Sequence, residues 1–387
     1  MNLGIALLLL CVIITLLFLA VDFYFWWMER FPRYKIGRWS DDEMWENAVF
    51  KTGLKWLPKV PAVPVSQNKH LLLWDMLTGK FIRKSVQAWQ TGGLVIGVSE
   101  YSYAASKSTV QKTISHFINS NGNWKEIPKN VDYGILAYGF LKNHPRPESL
   151  KPAMDELIQV IEKHLGEDGL IAYSGRSDIR YVDTLGLVCP FLALYAKVYQ
   201  QPKYAELAIK QLEAFTEKGL YPGTYLAAHS YQLKTGLPVG IVGWGRGVGW
   251  MLLGWMDVFL ELPESDAKEK LKETILAAAD EYLKYQYDDG GFGIILQDCS
   301  KYDSSATAIM AYYFGQCFNI TQNLSYANGM KAALQKLKTV TRRDGSLDYC
   351  QGDTVDVGIF SQHYAIMPFA QGMVLRALKL QLEFSKN

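Results

Sequence analysis

Cysteine, histidine and net charge are all scarce in this chain. Its 387 residues include five cysteines and six histidines, and 40 basic side chains against 38 acidic ones leave a formal net charge of +2. The cysteines show no CxxC spacing, which argues against a metal site or a disulfide scaffold. A nearly neutral chain without a dense Lys/Arg run also lacks the electrostatic footprint of a nucleic-acid-binding protein. We therefore expect no metal, no other cofactor and no nucleic acid partner.

The signatures of several common enzyme classes are missing as well. The chain contains no GxSxG elbow, no phosphate-binding P-loop, no HExxH zinc motif and no GxGxxG after a predicted strand. Aromatic side chains, in contrast, are abundant, with 11 Trp, 23 Tyr and 17 Phe. Aromatic rings commonly stack on sugars, and core filling is the alternative explanation.

An uncharged apolar segment opens the chain. It extends from Leu3 to Val21, and the aromatic run 23–27 follows Asp22. Nineteen uncharged residues are long enough to span a bilayer, and Trp and Tyr favour its interface. We predict a membrane anchor over residues 1–28. A cleavable signal peptide is the alternative, but no basic residue precedes the apolar core and no small-x-small cleavage site ends it.

Two features of the sequence give opposite predictions for the side of the membrane on which the rest of the chain lies. Four basic residues follow the anchor's apolar run: Arg30, Arg33, Lys35 and Arg38. By the positive-inside rule they would keep the rest of the chain in the cytoplasm. Glycosylation sequons at Asn319 and Asn323 would be usable only on the other side. Because sequons often arise by chance, we place the catalytic part in the cytoplasm.

Beyond a proline-punctuated linker at 58–69, one pattern recurs along the chain. A polar or aromatic residue is followed by a run of small and apolar residues, and charged amphipathic segments separate these runs. The runs begin near Trp89, Asp132, Asp183, Arg246, Asp303 and His363. The amphipathic segments lie at roughly 42–57, 108–118, 147–165, 201–217, 263–286 and 323–338. Repeats of this kind predict an array of six helical hairpins.

We therefore predict an all-α fold, an (α/α)6 toroid over residues 70–387. Residues 29–69 supply a juxtamembrane segment, the first outer helix and the linker. Turn signals precede several inner helices, at Asn121-Gly122, Asp168-Gly169, Asp289-Gly290 and Asp344-Gly345. An armadillo-like solenoid is the alternative architecture, but its repeats are shorter and do not require a polar residue at one end of each buried helix.

Two carboxylates open consecutive inner helices of this predicted ring. Asp183 stands in YVDTLGLVCPFLALY and Asp132 in NVDYGILAYGFL. Apolar surroundings disfavour the charged form of a carboxylate, and a second carboxylate nearby disfavours it further, which suits a general acid near neutral pH. Helix capping is the alternative role for either side chain.

The heptapeptide WGRGVGW at 244–250 combines two indoles, one guanidinium and three glycines. Residues six apart lie about 120° apart around a helix, so we expect a loop that runs into a helix. Aromatic faces can accept a pyranose ring, and a guanidinium can pair with a uronate carboxylate. Structural tryptophans and solvated histidines are the alternatives. The candidate sugar contacts are Trp89, His229, Trp244, Arg246, Trp250 and His363.

In their order along the chain, these motifs resemble the unsaturated glucuronyl and rhamnogalacturonyl hydrolases of glycoside hydrolase families 88 and 105, and family 105 more closely. The similarity covers roughly residues 85–380 and implies a metal-independent (α/α)6 toroid. It places the catalytic aspartate on Asp183 and an assisting aspartate on Asp132. It also implies substrate contacts by His229, Trp244, Arg246 and Trp250. Two positions depart from the family pattern, since Val248 replaces a usual Asn and Asp303 a usual Glu.

The resemblance implies an oligosaccharide substrate with a 4,5-unsaturated uronate at its non-reducing end, the product of a polysaccharide lyase. Asp183 would protonate C4, and water held by Asp183 and Asp132 would add at C5. Two alternatives stay open. One is another toroid sugar enzyme, a 2-epimerase or an inverting glycosidase, and an epimerase would need paired histidines at the mouth. The other is a membrane-tethered glycan-binding protein without catalysis, which would not need both aspartates.

Overall fold

A computed structural model describes residues 3–84, 87–173, 176–354 and 356–384. The outermost residues of the predicted anchor and toroid, 1–2 and 385–387, lie outside these ranges. The first helix, α1 (Leu3–Arg30), contains no buried residue, and its most apolar window reaches a mean hydropathy of 3.1. By length and composition, α1 can cross a membrane.

The rest of the described chain is mostly helical, with inner and outer helices in alternation. In chain order the helices are α2 (Asp42–Trp56), α3 (Leu72–Leu77), α4 (Ala88–Ser99), α5 (Ala104–Phe117), α6 (Tyr133–Asn143), α7 (Lys151–Lys163), α8 (Asp183–Tyr199), α9 (Pro202–Lys218), α10 (Gly245–Glu261), α11 (Asp266–Tyr282), α12 (Ser304–Thr321), α13 (Leu324–Thr339) and α14 (Pro368–Phe384).

The even-numbered helices from α4 to α14 form a closed cycle. Each packs on the next, and α14 packs back on α4. Outside them lie α2 and the odd-numbered helices from α5 to α13. The sequence explains the two layers: α9 buries only one stripe, which includes Tyr204, Ala208, Leu212 and Phe215, whereas α8 is buried continuously from Asp183 to Ala196.

Glycines allow the inner helices to touch backbone to backbone. A methyl group on Gly97 of α4 would collide with the carbonyl of Gly372 on α14, and one on Gly372 would collide with the carbonyl of Gly93. Gly134 of α6 lies equally close to the Leu187 carbonyl of α8. Since α4 is the first inner helix in the chain and α14 the last, their contact closes the cycle.

The predicted turns before the inner helices are confirmed. Gly122, Gly169, Gly290 and Gly345 all have positive φ angles, between 67° and 87°, which favour glycine. Each of these glycines also lies against an atom of an outer helix, namely α7, α9, α13 and α2 respectively. Gly345 packs in this way on the Ala48 carbonyl of α2, so the last turn seals against the first outer helix.

Short antiparallel strands connect the helices. They are β1 (Val63–Val65), β2 (Ile82–Lys84), β3 (Ile179–Tyr181), β4 (Ala228–Gln232), β5 (Pro238–Val242), β6 (Gly293–Ile295), β7 (Asp298–Tyr302), β8 (Cys350–Gln351) and β9 (Tyr364–Ala365). The pairs are β1 with β2, β6 with β7 and β8 with β9, and β4 lies between β3 and β5. Strands of two to five residues are too short to give a clear alternation in the sequence.

One predicted helix start needs correction, and strands lie on both sides of the predicted boundary at residue 70. The β1 strand before that residue pairs with the β2 strand after it. The sixth inner helix begins at Pro368 and not near His363. Proline disfavours helical backbone at the residue before it and is well suited to the first helical turn, which explains the later start.

A buried polar network joins the inner helices α10, α12 and α14. Arg376 of α14 donates to both carboxylate oxygens of Asp257 on α10, at 2.9 and 2.7 Å, and the Tyr312 hydroxyl of α12 donates to the same carboxylate at 2.6 Å. Burial alone would raise the pKa of Asp257, but the charge and hydrogen bonds of Arg376 hold it below its usual value. Because a buried charge without a partner is costly, the pairing fixes how these three helices meet.

We predict that Gly372→Ala destabilises the ring, because its new methyl group must push α14 away from α4. Overpacking of this kind costs about 1–3 kcal/mol, a loss of several degrees in Tm. Gly139→Ala is the matched control, since a methyl group there meets only side-chain atoms of Val95 and Ile96, at 3.1 and 3.2 Å. Thermal unfolding in detergent measures both. Equal Tm values for Gly372→Ala and wild type would contradict the backbone contact.

Candidate active site

A cavity of about 600 Å³ lies where the leading ends of α4, α6, α8 and α10 meet. The sequence predicted this location, since polar residues at the starts of the inner helices face a common mouth. Seven of the eight candidate residues line the cavity: Trp89, Asp132, Asp183, His229, Trp244, Arg246 and Trp250.

Main-chain pairing places His229 beside Asp183. Strand β3 leads into α8 and pairs with β4, so that Tyr181 faces Ser230 and the Val182 N–H donates to the His229 carbonyl at 2.9 Å. As a result, His229 Nε2 lies 3.3 Å from Asp183 Oδ2. Only 3% and 8% of the two residues' surfaces are exposed. His229 therefore lies on the strand β4, and the hydrogen bonds of this strand set the position of the imidazole.

Neither aspartate of the predicted pair caps its helix. Asp183 is the first residue of α8, and Asp132 is at the N-cap position of α6, yet no side-chain capping bond is present at either helix start. Among the described residues, Asp183 Oδ2 has no hydrogen-bond partner, and its near neighbour is His229. The capping alternative is thus not supported for either carboxylate.

Tyr173, which the sequence analysis missed, marks the place where the carboxylates converge. Burial raises its pKa well above the usual value, and the charges of Asp132, Asp183 and Asp353 raise it further. The Tyr173 phenol therefore keeps its proton and can donate a hydrogen bond. No periodic pattern surrounds Tyr173, because it lies in the irregular segment between the Gly169 turn and β3.

The segment after β8 covers part of the cavity and was also missed. Asp353 Oδ2 accepts a hydrogen bond from Gln87 Nε2 at 2.6 Å, and Asp356 Oδ1 accepts one from the Tyr181 hydroxyl at 3.1 Å. These bonds join the segment to the residues just before α4 and α8. Such long-range pairs leave no signal in a single sequence.

Arg246 holds main chain as well as lining the cavity. Its terminal nitrogens donate to the carbonyls of Gln351 and Gly352, at 2.6 and 2.8 Å, and its guanidinium lies 5.2 Å from the centre of the Trp244 ring. Only 1% of the Arg246 surface is exposed. Arg246 thus anchors the segment that carries Asp353, and its contact with a sugar carboxylate stays a prediction.

The tryptophans of the motif are buried in aromatic clusters. Trp250 packs edge-on against Trp89, with ring centres 5.6 Å apart, while Trp244 lies 4.7 Å from His229 and 5.2 Å from Phe360. Most of their surface is therefore used for packing, as the structural alternative proposed. Their stacking on a pyranose stays a prediction.

The motif begins as a loop and continues as a helix, as predicted. Trp244 is the N-cap of α10, which starts at Gly245. The glycines inside the helix serve close packing, with Gly247 against the Trp244 ring and Gly249 against Ile309. A positive φ angle, which favours glycine, occurs just before the motif, at Gly243, where φ is +77°.

The structure does not bring His363 to this cavity. His363 lies in a second cavity of about 280 Å³ beside α1, and its ring centre is 6.4 Å from that of Phe81. Burial lowers the pKa of His363, which favours its neutral form. Val248, which replaces the usual family Asn, is fully buried in α10 and does not line the active-site cavity.

The residues that line the cavity can be compared with those expected of an epimerase and of a metal site. His229 is the only histidine among the described lining residues, which does not fit the paired histidines expected of an epimerase. Within the described ranges, no group of three or more His, Cys, Asp or Glu side chains is arranged to hold a metal ion.

The sequence pattern of glycosyl hydrolase family 88 matches residues 63–379 of this chain. The chain belongs to glycosyl hydrolase family 88. It is accordingly a glycoside hydrolase, and the resemblance seen in its motifs is confirmed. No curated protein sequence matches it.

Solved structures share the fold of this family 88 hydrolase. A possible member of family 105 from Klebsiella pneumoniae subsp. pneumoniae has a TM-score of 0.74 at 17% identity, over 90% of this chain and 95% of that one. An unsaturated glucuronyl hydrolase specific for heparin has a TM-score of 0.67 at 13% identity, over 90% and 99%. The unsaturated glucuronyl hydrolase of Bacillus sp. GL1 has a TM-score of 0.61 at 16% identity, over 87% and 95%.

We predict that Arg246→Lys lowers the stability of the hydrolase and raises KM more than it lowers kcat. A single ammonium cannot reproduce the planar fork that serves two carbonyls, and charged hydrogen bonds of this kind contribute about 1.5–3 kcal/mol each. Thermal unfolding and steady-state kinetics measure the two effects. Arg176→Lys, at an exposed residue that lines the same cavity, is the control and should leave Tm unchanged. An Arg246→Lys protein with wild-type Tm would rule out the anchoring role.

Proposed function

We propose that this hydrolase removes a 4,5-unsaturated uronate from the non-reducing end of lyase-generated oligosaccharides by hydrating the C4=C5 bond. One observation carries the proposal. The Asp183 carboxylate is buried, makes no helix-capping bond and lies 3.3 Å from His229, in a cavity that Asp132 also lines. Membership of family 88 supports the reaction class. The volume of about 600 Å³ falls within the range of sites for small ligands.

The reaction begins with transfer of a proton from Asp183 to C4 of the enol ether. Water then adds its hydroxyl to C5 and returns a proton to the carboxylate. The resulting hemiketal opens to a ketone at C5, which leaves a hemiacetal at C1. Collapse of the hemiacetal to an aldehyde releases the aglycone as an alcohol. One water is consumed and the acid is regenerated.

His229 and Tyr173 have positioning roles in this proposal. His229 Nε2 lies 3.3 Å from Asp183 Oδ2, and the pairing of β3 with β4 holds the imidazole at this place. The imidazole therefore orients the carboxyl group whose proton is transferred in this proposal. Tyr173, held in its protonated form beside the aspartates, can donate to the substrate or to water. Asp132 then helps Asp183 to orient the attacking water.

The architecture in this proposal is an (α/α)6 toroid behind a membrane anchor. The closed cycle of inner helices supports the toroid, and the apolar helix α1 supports the anchor. Asp22 of α1 accepts hydrogen bonds from the Leu71 and Leu72 N–H groups, a contact that favours a retained anchor over a cleaved signal peptide. The cytoplasmic side of the membrane stays our prediction for the catalytic ring.

The test of the proposed function is the loss of absorbance near 235 nm, where the conjugated double bond absorbs. The substrates are lyase-generated disaccharides from pectin, rhamnogalacturonan and glycosaminoglycans. We expect at least one of them to be consumed, with release of the aglycone sugar. Unchanged absorbance for all three classes, with folded protein, would contradict the proposed function.

We predict that Asp183→Asn abolishes most of the activity and preserves the fold. A general acid contributes about 10²–10⁴-fold in rate, and the loss here is at or beyond the upper end because the same group also orients water. Asp132→Asn should cost less activity and shift the acidic limb of the pH–rate profile. The exposed Asp266→Asn is the matched control. Rate and Tm are followed together, and turnover by Asp183→Asn within threefold of wild type would exclude it as the acid.

A further inference from the structure

Hydrogen bonds join the end of α1 to the ring body without a flexible linker. The Asp22 carboxylate accepts the Leu71 N–H at 2.8 Å and the Leu72 N–H at 3.0 Å, at the start of α3. Just beyond the end of α1, Arg33 donates to the Tyr364 carbonyl at 2.8 Å and lies 3.3 Å from Asp348. The helix α1, the helix α3 and the segment before α14 are therefore one connected unit.

The length of α1 sets the depth of this junction in a bilayer. Its 28 residues extend about 42 Å at 1.5 Å per residue, whereas the hydrocarbon core of a bilayer is about 30 Å thick. With Leu3 to Val21 in the hydrocarbon, Asp22 lies at its boundary, and Trp26 and Trp27 lie at the level of the headgroups. Because Asp22 binds the first N–H groups of α3, that helix lies at the same boundary.

The helix α3 has two different faces. Leu72 and Asp75 are buried against the body, and Asp75 Oδ2 accepts a hydrogen bond from the Asn68 side chain at 2.7 Å. On the other face, Leu71, Trp74 and Leu77 expose 60%, 55% and 71% of their surfaces. Three large apolar side chains exposed on so short a helix mark an interaction site.

Exposed basic residues lie close to this face along the chain. They are Arg30 at the end of α1, and Lys69 and Lys80 on either side of α3. The acids near them are already paired: Asp22 and Asp75 accept the hydrogen bonds given above, and Glu29 lies 2.8 Å from Arg33 and 3.9 Å from Lys69. Exposed apolar side chains with a basic rim suit the interface of a bilayer that contains anionic lipids.

We propose that α3, together with the aromatic residues Trp26, Trp27 and Phe31, forms a membrane-contact surface that lies in the headgroup region of a phospholipid bilayer. The proposal rests on the anchor in the proposed function and adds a second contact to it. A chain tethered by α1 alone could tilt freely, whereas two contacts joined by Asp22 and Arg33 hold the ring at one orientation. Lipid therefore covers the exposed face of α3, because this face lies next to the anchor helix that lipid also surrounds.

The experiment places single fluorescent labels on the full-length protein in vesicles of phosphatidylcholine and phosphatidylglycerol. Cys11→Ser and Cys299→Ser remove the two exposed cysteines. Bimane is then attached through Trp74→Cys or Leu77→Cys on α3, and through Trp27→Cys on the anchor. The matched control is Leu324→Cys, a residue 68% exposed that follows the trailing end of α12. The quencher is a lipid with a nitroxide near its headgroup.

We expect the labels at positions 74, 77 and 27 to be quenched severalfold more than the label at 324. Quenching at 27 with values at 74 and 77 equal to the control would overturn the contact surface and leave the anchor in place. Absence of quenching at 27 as well would overturn both the anchor and the surface. Melting temperatures establish that the variants are folded, and the two independent α3 labels guard against a local effect of either substitution.

Discussion

The closure of the ring is the constraint on which the rest of this structure depends. The first and the last inner helix are far apart in the chain, and they meet backbone to backbone where Gly97 and Gly372 leave no room for a methyl group. This close approach fixes the circumference of the inner cycle and directs the leading ends of the inner helices to one mouth. The proposed catalytic groups on α6 and α8, which pack directly on each other, open into the same cavity as the starts of α4 and α10.

At the mouth, one residue, Gln351, links three parts of the site through its side chain and its main chain. Gln351 accepts a hydrogen bond from the Trp244 indole at 2.9 Å and donates to the Ser361 carbonyl at 3.3 Å. Its main-chain N–H donates to Asp303, the N-cap of α12, and its carbonyl accepts from Arg246. The heptapeptide motif, the start of α12 and the covering segment are therefore positioned together. The glycine-rich motif acts here as a support for the cavity wall.

The sequence predicts those parts of the site that leave a local signal. Asp183 stands out because a carboxylate precedes an apolar run, and the six runs suggest the inner helices without any further information. His229 gives no such signal, since its position depends on pairing between β3 and β4, which are far apart in the chain. Arg246 binds main-chain carbonyls, which every residue type has, so its anchoring role could not be predicted from the sequence. His363 was misplaced because polar residues before an apolar run can belong to a turn as well as to a helix start.

The buried network of Arg376, Asp257 and Tyr312 joins three inner helices. In the cycle, α12 lies between α10 and α14, so the ion pair of Arg376 and Asp257 reaches across the interior and not only along one helix contact. None of the three side chains is among the described lining residues of the active-site cavity. The ring thus keeps the charges that hold its helices together apart from the charges that meet a ligand.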